Sequence, residues 1–214
     1  MKNKLIGFGA GGHSKVILDI IKIRNEYSIL GLIDKNYKKI KKIGQIPVLG
    51  DDKKLIYYFN KGIRNIYIGV SDIKESTKNK KIFNYLYKIG FNVINIIHPT
   101  SIISSKSKIG IGCRFFAGSI VNPNVVIGNN VLINTGTIIE HDCKISDHVQ
   151  IGPGTNLAGE VEVGEGTIIG IGVNIINKIK IGKYSYIAAG SVVTRNVKNN
   201  TLVAGTPAVE VKKC

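Results

Sequence analysis

A six-residue period running through the second half of the chain limits what it can fold into more than any other feature. Every sixth residue from Ile103 is large and apolar: Ile109, Phe115, Val121, Ile127, Ile133, Ile139, Ile145, Ile151, Leu157, Val163, Ile169, Ile175, Ile181, Ile187 and Val193. Two positions before each runs a second column, from Ser101, Ser107, Cys113 and Ser119 to Ser185 and Ser191, that is small or β-branched throughout. Gly often follows the large residue, as at Gly110, Gly128, Gly152, Gly164, Gly170 and Gly182. An α-helix cannot hold a six-residue register on one face, and a flat sheet repeats every two residues. A period of six fits a coil with three short sides, each turning one large and one small residue inward. About 18 residues then close one turn, and turns stack at the strand spacing of about 4.8 Å. The period leaves the handedness open.

The same register accounts for two of the three cysteines. Cys113 and Cys143 fall in the small inward column and are expected as packed core residues rather than reactive thiols. Cys214 stands at the end of the sequence. With no CxxC or Cys/His spacing, the chain suggests no metal site, and an odd cysteine count argues for free thiols.

The first hundred residues follow a different pattern. Lys4–Phe8 reads as a buried strand, Gly9-Ala10-Gly11-Gly12 as a turn, and Val16, Ile17, Ile20 and Ile21 as the apolar stripe of a helix. Further strands are expected at Ile29–Asp34, Asn65–Val70 and Val93–Ile97, with a helix over 74–89 and a charged, exposed loop over 36–42. Strands alternating with helices make a small, Rossmann-like parallel α/β domain. Residues 1–98 are assigned to it and residues 99–214 to the coil, with the boundary at His98-Pro99.

Gly7-x-Gly9-x-x-Gly12, between a strand and a helix, has the form of a dinucleotide fingerprint, and Asp34 lies 22 residues beyond Gly12, near the spacing of a ribose-binding acid. Glycines let the backbone approach a phosphate, and the helix N-terminus favours its charge. About four strands are fewer than a full dinucleotide fold uses, so a mononucleotide-sized ligand, such as the nucleotide half of a nucleotide sugar, fits better than NAD. His13 either reaches a pyrophosphate or faces solvent.

The chain carries 30 Lys and Arg against 14 Asp and Glu, a formal charge of +16. Only Arg24, Arg64, Arg114 and Arg195 are arginines, whereas readers of nucleic-acid sequence rely on arginine forks. With the abundance of Ile and Asn, this reads as the composition of an AT-rich genome, and no nucleic-acid partner is expected. The charge can still draw anionic ligands, nucleotides included. With no apolar run near the ~20 residues of a membrane span and no secretory leader, the sequence predicts a cytoplasmic protein.

Glu140-His141-Asp142 interrupts the small residues of the coil. His141 lies two positions after the inward Ile139, at a corner and pointing out. One coil later in the same column is Gly159, about 5 Å along the axis, so a general base and a main-chain N–H donor come together. His148 sits at the next corner, out of reach of His141 within one chain but open to a neighbouring subunit.

Taken together, Gly9-Ala10-Gly11-Gly12-His13, Asn134-Thr135, Ile139-Glu140-His141-Asp142-Cys143, Asp147-His148-Val149, Gly152-Pro153-Gly154, Leu157-Ala158-Gly159 and Val203-Ala204-Gly205-Thr206-Pro207-Ala208 resemble the bacterial sugar O-/N-acyltransferases. That family includes PglD-like nucleotide-amino-sugar N-acetyltransferases and NeuD-like sialic acid O-acetyltransferases. The resemblance covers nearly the whole chain. It implies a left-handed parallel β-helix, acetyl-CoA as co-substrate, and a homotrimer with acetyl-CoA along grooves between coils. His141 matches the catalytic base, Asp142 the acid that orients it, and Gly159 the donor to the thioester oxygen. His148 matches a contact to acetyl-CoA from the adjoining protomer. Gly11, Gly12, His13 and Asp34 match the nucleotide-sugar pocket. Gln150 stands where NeuD-like members often carry a second histidine, which favours the amino-sugar branch. The expected reaction is N-acetylation of a nucleotide-linked 4-amino-4,6-dideoxy sugar, with uracil or thymine as the base. O-acetylation of sialic acid, a non-catalytic sugar-nucleotide-binding scaffold and an NAD-dependent enzyme with an appended coil remain as alternatives.

Overall fold

The computed structural model describes residues 2–71 and 76–214; Lys74 and Glu75, the expected start of a helix, lie outside the described residues. β1 (Asn3–Phe8) leads through the glycine turn into α1 (Gly12–Arg24). The helix buries Ile17, Ile20 and Ile21, and ends where Asn25 turns left-handed (φ 56) and donates its N–H to Ile21 O. β2 (Tyr27–Ile33), β3 (Lys42–Ile43), β4 (Ile46–Gly50), α2 (Lys54–Asn60), β5 (Asn65–Ile68), α3 (Ser76–Ile89) and β6 (Asn92–Val93) follow. The sheet order is β3-β4-β2-β1-β5-β6, parallel except for the β3–β4 hairpin. The chain reverses its direction of growth across the sheet at β1, so the C-terminal ends of β1 and β5 open a crevice, the usual ligand position in such sheets.

The hairpin and α2 go beyond the sequence reading. Gly44-Gln45 between Ile43 and Ile46 is the local signal of the hairpin. The expected strand Val93–Ile97 is divided: Val93 pairs with Ile66 of β5, whereas Ile96 pairs with Arg114 of the coil. Asn95 between them donates to Gly110 O and accepts from Cys113 N–H, so its side chain makes the transfer from sheet to coil.

From Ile96 onward two-residue strands recur every six residues and stack in three parallel sheets, a left-handed parallel β-helix. Side one holds Ile96–Ile97, Arg114–Phe115, Leu132–Ile133, Gln150–Ile151, Ile168–Ile169 and Tyr186–Ile187, and ends in the hairpin Thr201–Gly205/Ala208–Lys213. Side two runs from Ile102–Ile103 to Val192–Val193, and side three from Lys108–Ile109 to Lys180–Ile181. Ile139 pairs with Leu157, one full coil of 18 residues on. From Cys113 onward both inward columns are buried, each large member contributing roughly 1.5–3 kcal/mol. The small column bonds as well as packs. Thr137, Thr155 and Thr167 donate to Gly152 O, Gly170 O and Gly182 O, and the thiols of Cys113 and Cys143 reach Gly128 O and Ala158 O in the same way. The cysteines are core, as their register predicts.

The α/β region packs on side one and on the corner between sides three and one. Phe116 and Leu132 join Leu5, Ala10 and Ile17 in one apolar cluster, Ser71 donates to Gln150, and Lys80 of α3 pairs with Glu165.

Candidate functional site

The crevice at β1 and β5 is a cleft of about 420 Å³ lined by Gly9, Gly11, Gly12, His13, Asp34 and Gly69, among others. Gly9 has φ +108, and a Cβ there would meet Val70 Cγ2 at 2.7 Å, so only glycine lets the two strand-end loops come this close. Gly11 and Gly12 face open space: a Cβ on either would meet nothing within 4 Å. α1 begins at Gly12 with no side-chain cap and no acid in its first turn, which leaves its N–H groups for an anion. Asp34 lines the cleft and braces the turn: Oδ2 accepts Ala10 N–H at 2.7 Å and Oδ1 accepts Asn36 N–H at 2.7 Å. Lys35, Asp52, Lys78 and Lys81 also line the cleft, though no sequence motif singled them out.

His13 is not the solvent-facing residue that was one of its two readings. Its ring packs, tilted by 40°, at 5.0 Å from that of Phe116 of the coil, and its Nε2 is buried without a partner. Burial, with the nearby Arg114 guanidinium second, lowers its pKa to about 3. At neutral pH the ring is therefore uncharged, which removes a cationic contact to pyrophosphate.

His141 lies at the corner between sides two and three, facing away from side one. Its Nδ1 is 2.8 Å from Asp142 Oδ2, and both side chains are about half exposed (57% and 48%). With Nδ1–H donated to the carboxylate, Nε2 carries the free lone pair. Asp142 is held from the other side by Asn124 Nδ2, one coil earlier, at 3.1 Å. The bonds from His141 and then Asn124 keep its carboxyl below the usual range, so it stays ionised. The imidazole lies over Gly159, where a Cβ would stand 2.6 Å from Cε1 and 2.7 Å from Nε2. Ala158 N–H and Glu160 N–H are taken by Ile175 O and His141 O, while no backbone acceptor among the described residues takes Gly159 N–H. The corner thus brings together an oriented base and a main-chain donor. Asn124 went unnoticed in the sequence, although its place 18 residues before Asp142 was the available signal.

His148, expected to contact acetyl-CoA from an adjoining protomer, is 4% exposed within the chain. Its ring sits edge-on to Phe83 of α3 at 5.5 Å, and its Nδ1 is 3.1 Å from Asn130 Nδ2, which also donates to Asn79 O of α3. Burial lowers its pKa and keeps it neutral. α3 covers this corner, and His148 and Asn130 join the α/β region to the coil there.

The family profile described as the PglD N-terminal domain matches residues 4–86, and the one described as the bacterial transferase hexapeptide (six repeats) matches residues 124–159 and 160–195. Among solved structures, the chain is similar to a histidine-to-alanine variant of GDP-perosamine N-acetyltransferase from Caulobacter crescentus in complex with CoA and GDP-perosamine. The TM-score is 0.93 at 28% identity, covering 99% of this chain and 98% of that one. The acetyltransferase domain of PglB from Neisseria gonorrhoeae, in complex with acetyl coenzyme A, gives 0.90 at 27% identity, covering 99% and 100%. WeeI from Acinetobacter baumannii shares the fold, with 0.83 at 22% identity over 98% and 100%. No curated protein matches in sequence.

Proposed function

We propose that the chain, whose residues 4–86 match the PglD N-terminal domain and whose residues 124–195 match the bacterial transferase hexapeptide, is a bacterial sugar acyltransferase that transfers the acetyl group of acetyl-CoA to the amine of a nucleotide-linked amino sugar. The observation that carries this reading is the His141 imidazole, tied through Nδ1 to Asp142 and lying over the unengaged N–H of Gly159. The α/β region, up to Val93, holds the nucleotide, and the β-helix from Ile96 onward carries the acyl transfer.

In the reaction the sugar amine attacks the thioester carbon. His141 Nε2 takes the proton the amine sheds, and Asp142 stabilises the imidazolium through Nδ1–H. Gly159 N–H donates to the carbonyl oxygen as it gains negative charge. The C–S bond breaks, and the proton on His141 passes to the departing CoA sulfur. No acyl-enzyme is needed: the thiols of Cys113 and Cys143 are in the core with pKa values raised to about 11, chiefly by burial. The observations favouring the amino-sugar reading over the sialic acid, scaffold and NAD alternatives are the intact corner and the likeness to an enzyme described as acting on GDP-perosamine. That relative also widens the expected base beyond uracil and thymine to guanine.

The nucleotide cleft lies on side one and His141 on the opposite corner, so the coil separates them within one chain. A site served by the cleft of one copy and the His141 of another resolves this, in keeping with a homotrimer. Among the described residues no helix is long and apolar enough to cross a membrane. We place the enzyme in the cytoplasm, where acetyl-CoA and nucleotide sugars are made.

The test is thiol release from acetyl-CoA with GDP-, UDP- and dTDP-linked 4-amino sugars beside free sialic acid. Turnover of one nucleotide amino sugar, with kcat reduced at least ~10²-fold in His141→Ala, is the expected result. Turnover of sialic acid alone, or an unchanged kcat in the variant, defeats the reading.

A further inference from the structure

Directly beneath the floor of the cleft lies a cation with no anionic partner in the protein. Arg114 opens a coil strand on side one and is 1% exposed. Its Nη1 donates to Ile68 O (3.3 Å) and Val70 O (3.1 Å), and its Nη2 to Asn130 O (3.3 Å) and Asn130 Oδ1 (3.0 Å). All four acceptors are neutral, and Nε is buried with no partner. Among the described residues, Arg114 makes no ion pair like those of Arg24 with Glu26 or Lys80 with Glu165. Burial lowers its pKa, but only to about 10, so the charge persists at neutral pH.

Packing does not call for an arginine here. One and three coils on, the same outward column on side one carries Leu132 and Ile168, both buried. A buried charge without a counter-charge is among the costliest arrangements a fold can keep. What distinguishes position 114 is what lies above it. Ile68–Val70 is the end of β5, and Gly69, Val70 and Ser71 form one wall of the cleft, facing Gly11, Gly12 and His13 at the start of α1. An anion in the cleft would therefore have the N-terminus of α1 on one side and, through a single layer of main chain, the guanidinium on the other.

We propose that Arg114 is the buried counter-charge for the nucleotide's phosphates, acting through the Ile68–Val70 main chain rather than by contact, and that it makes the cleft prefer multiply charged anions. This rests on the cleft being the nucleotide site. Lys35, Lys78 and Lys81 at the cleft are also cations, but with access to water their field is screened by salt, whereas a guanidinium sealed under main chain is screened far less.

The test is titration calorimetry of guanosine, GMP and GDP, with the uridine and thymidine series in parallel, against wild type, Arg114→Met, Arg114→Gln and Arg114→Lys in low and high salt. If Arg114 acts by charge, both neutral variants weaken the diphosphate by about tenfold or more, the monophosphate less and the nucleoside hardly at all. Arg114→Lys keeps the diphosphate-to-nucleoside ratio, and the difference between wild type and the neutral variants survives in high salt. Equal loss for all three ligands would reduce Arg114 to a brace for the loop and overturn the proposal, as would no loss. A lysine variant that loses the diphosphate preference overturns it even if neither neutral variant folds. Failure of wild type to bind any nucleotide would instead remove the cleft as the nucleotide site, and the proposal with it.

Discussion

The contact between His141 and Gly159 gives the sharpest test of the acyl-transfer corner, because a single methyl group perturbs it. A Cβ at position 159 would stand 2.6 Å from His141 Cε1, 2.7 Å from Nε2 and 3.3 Å from Nδ1. Ordinary contact begins near 3.4 Å, so the ring must retreat by about 0.8 Å. It can do so cheaply, since its side chain is 57% exposed and no core residue holds it. Gly159 has no left-handed backbone for alanine to strain, and the N–H donor is kept. The melting temperature of Gly159→Ala should therefore stay within about 2 °C of wild type. The reacting geometry is less tolerant: a misplacement of about 1 Å can cost ~10²-fold in rate. Steady-state thiol release should show kcat lowered by about that factor. Because the methyl acts by moving His141, adding Gly159→Ala to His141→Ala should cost little more, under about threefold. Wild-type kcat in Gly159→Ala, or the same loss in the His141→Ala background, would refute the claim that the glycine exists to seat the imidazole.

Two other perturbations test the nucleotide half. The pKa of His13 in the fold is about 3 against 6.5 for the free side chain. Below pH 6.5 the unfolded chain takes up a proton that the folded one refuses, so this part of the stability is complete above about pH 7 and is lost as the pH falls. One such group removes about 2 kcal/mol between pH 7 and pH 5; urea unfolding of His13→Asn should lose that much less over the interval than wild type, and identical slopes would contradict the burial of the ring. Gly12→Ala adds a methyl that meets nothing within 4 Å, at the first residue of α1. It should leave the melting temperature unchanged or raised while increasing KM for the nucleotide sugar by about tenfold with KM for acetyl-CoA unmoved, and an unchanged nucleotide KM would clear the cleft of ligand at that point.

How far the sequence could be read is illustrated by two residues in the same slot of the repeat. Asp142 and His148 are six apart, both at corners, both left-handed (φ 61 and 64). From Gly112 to Gly190 every sixth residue has positive φ, glycine or not, so this backbone belongs to the repeat in both. The period predicts that Ile139 and Cys143 point in and that His141 lies over Gly159, because these depend only on the register. It does not predict what covers an outward residue. Asp142 is 48% exposed beside His141, while His148 is 4% exposed beneath α3. The difference comes from Phe83, 65 positions away and on another element, which packs on the His148 ring. Phe116 does the same to His13, and Val70 receives Arg114. A helical stripe or a hexapeptide column marks a face as apolar or polar, whereas these contacts pair single residues from two patterns with no common period. The His141–Gly159 corner was legible because both of its partners belong to the coil. The cleft was legible in its glycine turn and Asp34, which lie on the α/β region together with the rest of its lining, whereas the charge buried beneath it was not, because Arg114 comes from the coil.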